Sequence, residues 1–324
     1  MIRTFATLAA ALAVAGPVGA QEGLLLVVNK SDSSLSFVDV ARGDEVGRVS
    51  TGFAPHEVAV SADGRWAYVT DYGTGPRPGR TVTVVDVPGR RVAGTVDLGE
   101  HTRPHGVTVG PDGGVWVTTE GSAHVLKLDP ESRTVVLAAE TGARVTHMVA
   151  VAPGHGRVYT ANIGSGTVTA VDAFSGEVLA EIPTGAGAEG LAVSVDGDRI
   201  YVTNREAGTL TEIDVASNRV TRSLEVGAFP IRVEVTPDGA RALVSNAQAN
   251  EVAVVGLEDW RVESRIAVDA VPVGIEVVPD GRTAYVANTQ ADRISVIDLE
   301  EGRVTGELVA GDEPDGMAWV GAER

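Results

Sequence analysis

Residues 104–120, Pro-His-Gly-Val-Thr-Val-Gly-Pro-Asp-Gly-Gly-Val-Trp-Val-Thr-Thr-Glu, read as a strand, a tight Pro-Asp-Gly turn and a second strand. Alternating β-branched residues favour the strands, and Asp-Gly supplies the backbone freedom a short turn demands. Versions of this stretch recur along the chain. At the position of His105 the copies carry His56, His105, His147, Glu189, Ile231, Val273 and Asp315. Five of the six intervals are 42 residues and the first is 49. A period of that length, with four strand-sized pieces in each unit, predicts the blades of a β-propeller.

The unit beginning at Glu189 shows the pattern: an inner strand at 190–195, Asp196-Gly197, then strands at 199–204, 209–214 and 219–226. Further Asp-Gly or Pro-Asp-Gly turns stand at 63–64, 111–113, 237–239 and 279–281. Three strands near the start, at 24–29, 34–40 and 45–50, lack an inner strand before them, and the last inner strand, 315–320, lacks outer strands after it. Joining them in one blade closes the ring and removes free sheet edges. The expected fold is therefore all-β: a seven-bladed β-propeller of four-stranded antiparallel blades, spanning residues 21–324, with its last blade shared between the termini.

Residues 1–20 stand apart. Arg3, an apolar run over 5–15 and the small residues Val18-Gly19-Ala20 form the pattern of a cleavable secretory signal peptide, cut before Gln21. The expected product is an exported, periplasmic monomer with no membrane span. Without cysteine, stability must come from the core and from ring closure. A net charge of -18 with no basic cluster excludes a nucleic-acid partner.

Second strands read W-A-Y-V-T-D at 66–71, V-Y-T-A-N at 158–162, I-Y-V-T-N at 200–204 and A-Y-V-A-N at 284–288. With these the chain resembles the YVTN family of bacterial β-propeller repeats, which is similar to cytochrome d1-type and lactonase-type propellers. The resemblance implies the architecture and leaves the activity open. Blade 2 also resembles streptogramin B lyases, which are metal-dependent, through Pro104, His105, Gly106, Gly110–Gly113 and Trp116. Thr119 stands where that family has a Glu, and Glu120 follows it.

The start of each inner strand and the end of each second strand fall on one face of the disc, so the His105 register should ring the channel mouth. Three of the six histidines share that register. His56, His105 and His147, with Glu189 or Asp315 as a fourth ligand, could converge on one divalent metal ion. The ligand types suit zinc, copper, iron, nickel or manganese without choosing among them. Asp71 and Glu120, read as replacing a second-strand Asn, are expected to orient the rings or carry a proton. Arg144 and Arg205 are expected at the rim, facing an anionic ligand.

Blade 1 is seven residues longer than the others, with insertions expected at 72–80 and 100–103 beside this mouth. Arg232, Glu234 and Glu276 are expected to form a buried ion-pair group. The residues are consistent with a metal-dependent lyase or hydrolase, lactonase-like, acting on a small molecule. The alternative is a noncatalytic ligand- or protein-binding module serving a periplasmic partner or a dehydrogenase system.

Overall fold

Valine, isoleucine and threonine alternate along most segments, and each segment becomes a strand with one apolar face on each neighbouring blade. The computed structural model describes residues 22–321, and the expected signal peptide lies outside the described residues. Its 28 strands form seven four-stranded antiparallel sheets. Six blades follow the chain in order, as residues 55–97, 104–140, 146–183, 188–225, 230–267 and 272–308. The seventh pairs the C-terminal inner strand Pro314–Gly321 with Gly23–Asn29, followed by Ser34–Asp39 and Asp44–Ser50. Each inner strand touches the next around the ring, and blade 7 meets blade 1. No helix among the described residues is long and apolar enough to cross a membrane.

The core consists of slabs between successive blades. Leu26, Leu35 and Phe37 of blade 7 pack on Val58, Val69 and Val85 of blade 1, and Trp116 of blade 2 packs on Val149 and Val158 of blade 3. Burying these branched and aromatic side chains is worth about 1.5–3 kcal/mol each. The Asp-Gly turns take the expected left-handed form; at Gly197, φ is +80° and the amide donates to the Ser194 carbonyl at 2.9 Å.

The insertion at 72–80 is not a loose loop. It lengthens the second and third strands of blade 1, Trp66–Gly73 and Pro78–Asp86, so that Gly73 pairs with Pro78.

One irregularity repeats in every blade. Pairing between inner and second strands slips by one residue, for example between Pro104↔Thr119 and Val107↔Val117. His105 and Gly106 therefore oppose Thr118 alone, and the same bulge falls at His56, His147, Glu189, Ile231, Val273 and Asp315. A bulge bends the strand and re-aims its side chains.

Candidate metal centre

The re-aimed residues meet at the channel mouth. The rings of His56 and His105 lie 4.6 Å apart between centroids, and those of His105 and His147 lie 3.7 Å apart. Tyr72 packs on His56 at 4.6 Å and meets His105 edge-on at 5.7 Å. His147 Nδ1 donates to Glu120 Oε1 at 2.6 Å, and the Tyr72 hydroxyl donates to Glu120 Oε2 at 2.5 Å. His147 Nε2 lies 3.6 Å from Glu189 Oε1, and His56 Nδ1 lies 3.0 Å from Asp315 Oδ2.

The expected five-residue arc thus divides. His56 associates with Asp315, while His105, His147 and Glu120 present one donor atom each within 4.8 Å of one another, with Glu189 alongside. An ion at 2.0–2.2 Å separates tetrahedral donors by about 3.4 Å, so a small contraction would close this set around a metal. His105 Nδ1 and His147 Nε2 are buried and have no hydrogen-bond partner among the described residues. Buried ring nitrogens left unpaired are costly, and a metal would satisfy them. Imidazole and carboxylate oxygen fit a first-row divalent ion.

Second-strand ends supply another ring of side chains. The Asn register holds Asn29, Asp71, Thr119, Asn162, Asn204, Asn246 and Asn288, each paired with the residue just before a bulge. Thr119, not Glu120, therefore takes the Asn position in blade 2. One residue further on stand Lys30, Tyr72, Glu120 and Arg205, and each reaches the bulge residues. Lys30 Nζ lies 3.6 Å from Asp315 Oδ2. Arg205 Nη1 lies 2.9 Å from Glu189 Oε2, an ion pair bent too far to be a hydrogen bond, and its guanidinium covers Phe229. Lys30 and Tyr72 were missed in the sequence; their signal was the position after the Asn register.

Other expected residues lie elsewhere. Asp71, expected to orient a ring or carry a proton, turns into its own blade and accepts bonds from Gly52 N, Thr81 Oγ1 and Thr83 Oγ1. It does the work that Asn162 does with Thr167 and Thr169. Arg144 is exposed and donates to the Gly164 carbonyl at 2.5 Å, away from the cluster. The expected group of Arg232, Glu234 and Glu276 does not form. Arg232 instead binds Glu57 of blade 1, across the channel, since blades 1 and 5 are not neighbours. Glu234 and Glu276 have no ion-pair partner among the described residues, and burial pushes Glu234 up to about 7.

The electrostatics separate the rings. Burial, joined by repulsion from His147 and His56, holds His105 well below the usual histidine range, so it is neutral. Burial also works against a charge on His147, but the hydrogen bond to Glu120 and the nearby Glu189 carboxylate outweigh it and raise its pKa. At Glu120 burial favours the neutral acid, yet His147 and Tyr72 keep the group below its ordinary value. Asp315 is opposed by burial in the same way and held low by His56, Lys30 and Arg232.

Comparison with known proteins locates the fold. Residues 115–241 match the YNCE-like beta-propeller family. No curated protein matches the chain. A protein from Desulfotomaculum acetoxidans described as functionally unknown superposes with a TM-score of 0.80 at 13% identity, covering 93% of this chain and 100% of that one. The periplasmic gluconolactonase of Pseudomonas aeruginosa gives 0.77 at 19% identity, covering 93% and 99%. A dihydro-heme d1 dehydrogenase gives 0.66 at 16%, covering 91% and 75%. These likenesses concern the fold, and they agree with the β-propeller that the repeats predict.

Proposed function

We propose that this chain is an exported, metal-dependent hydrolase or lyase acting on a small oxygen-rich molecule, with the opening of a lactone ring as its best-supported reaction. The observation that carries the reading is the convergence of His105, Glu120 and His147 within 4.8 Å, with unpaired buried nitrogens on both rings. Glu189 flanks the set and is itself held by Arg205. A divalent ion bound there would supply Lewis-acid polarisation of a carbonyl oxygen.

The remaining chemistry belongs to the chain. With Nδ1 facing Asp315, His56 presents Nε2 as acceptor for the proton of an attacking water, and Asp315 stabilises the imidazolium that forms. His56 suits the task because its side chain is 19% exposed, against 8% for His147. Arg103, stacked over Tyr72 at 5.3 Å, and Arg205 border the mouth and favour a substrate with an anionic or hydroxyl-rich tail. The Glu57–Arg232 pair crosses the channel and limits how far a ligand can descend.

Two further facts support the reading. The signal-peptide pattern in residues 1–20 matches export, and a fold neighbour is described as a periplasmic gluconolactonase. Untagged protein purified from the periplasm should contain a stoichiometric metal ion that is lost in His105→Ala. His56→Gln should keep the metal and lower lactone hydrolysis by about 10²–10⁴. Metal-free protein that His105→Ala leaves unchanged would sink the proposal and favour a binding module for a periplasmic protein.

A further inference from the structure

Two more of the six histidines stand together outside the channel. His101 lies in the short insertion before the blade 2 inner strand, and His124 opens the third strand of that blade, His124–Asp129. Their rings are 4.5 Å apart between centroids, tilted by 54°. Both are fastened to one residue. His124 Nδ1 lies 2.6 Å from the Ser122 carbonyl, and His101 Nδ1 lies 3.2 Å from Ser122 Oγ, which is itself 2.7 Å from Thr119 Oγ1.

The carbonyl settles one tautomer. It can only accept, so His124 carries its proton on Nδ1 and leaves a lone pair on Nε2. This is the arrangement by which proteins orient a metal-binding imidazole, with one nitrogen on a backbone oxygen and the other free for the ion. Ser122 Oγ has Thr119 as a second partner, so it is able to accept from His101 Nδ1 and impose the same tautomer. Neither Nε2 has a hydrogen-bond partner among the described residues, and no carboxylate there forms an ion pair with either ring. Both rings are part-exposed, which gives an ion an entry path and leaves its other positions to water.

From this geometry we propose that His101 and His124 form a second metal site, binding a borderline first-row divalent ion through their two Nε2 atoms. Among such ions copper(II) binds nitrogen donors most tightly. The site shares the loop after Thr119 with the channel cluster: Glu120 reaches inward to His147, while Ser122 holds the outer pair. It is independent of the proposed catalytic ion.

The test is a copper(II) titration of untagged protein, followed by electron paramagnetic resonance. Besides any copper taken up by the channel set, wild type should show an equivalent with coupling to two imidazole nitrogens that is lost in both His101→Ala and His124→Ala and kept in His105→Ala. Ser122→Ala, which removes one of the two anchors, should weaken that equivalent by about 10-fold. These variants alter part-exposed side chains, and unchanged thermal unfolding would verify the fold. Copper stoichiometry and spectra that are the same in wild type, His101→Ala and His124→Ala would overturn the proposal. So would loss of the two-nitrogen equivalent in His105→Ala alone, which would assign it to the channel.

Discussion

Asp71 shows how much a single residue's partners decide. Its sequence position made it a candidate proton carrier, yet its carboxylate closes a loop that asparagine closes in four other blades and in the shared blade. Burial is the largest influence on it and raises its pKa from 3.8 to about 6 despite the bonds from Thr81, Thr83 and Gly52. Because the folded value is the higher one, the folded state holds its proton more tightly. Stability therefore falls as pH rises from about 4 to 6, and the penalty persists above. Two units correspond to at most about 3 kcal/mol. Asp71→Asn should accordingly gain about 1–2 kcal/mol at pH 8 and nothing near pH 4, read from thermal unfolding at both; a gain independent of pH would contradict this account. The Glu57–Arg232 pair offers the opposite case. Arg232→Met strands a buried carboxylate and should lose about 3–5 kcal/mol in denaturant unfolding, whereas adding Glu57→Gln should restore most of the loss.

At the scale of the strand, the bulge joins the fold to the site. Its extra residue is satisfied by a hydroxyl on the second strand: Thr118 Oγ1 accepts from Gly106 N at 2.9 Å and donates to the His147 carbonyl of the next blade. Thr70, Thr203 and Ser245 make the same two links, the last to the Val273 carbonyl at 2.8 Å. In blade 2 the residue after the bulge residue is Gly106, whereas Glu57 and Arg232 take that place in blades 1 and 5. A Cβ on Gly106 would lie 2.7 Å from the His147 carbonyl oxygen. Gly106→Ala should therefore push two histidine-bearing strands apart, at about 1–3 kcal/mol of stability and with weaker metal binding, measured by unfolding and by metal titration. The strands and Asp-Gly turns were legible because alternation and turn chemistry are local. The bulge was not, because a slip of one residue shows only when the partner strand is present. The turn between the first two strands of blade 2 is also one residue shorter than that of blade 3, Val109↔Val115 against Val151↔Val158, which is why the 42-residue spacing puts Glu120 rather than Thr119 in the Asn register.

For the molecule as a whole, stability rests on closing a ring. Every core slab lies between two blades, so a missing blade exposes two faces, and the strand Gly23–Asn29 would lose the partner it finds in Pro314–Gly321. A chain ended after residue 312 should bare that edge and associate or fail to refold, observed by light scattering and size-exclusion chromatography. Monomeric, fully folded truncated protein would show that the shared blade is dispensable.

The repeat alone determined the blade count, the sharing of one blade between the two termini and the face on which His56, His105 and His147 stand, because all three follow from spacing and strand alternation. Which groups meet there was decided by the tertiary structure. The division of His56–Asp315 from His105–Glu120–His147 and the bridge from Glu57 to Arg232 depend on how far the bulges turn each side chain and on what lies across the channel or one blade away. Those distances run between residues far apart in the chain, and no local pattern encodes them.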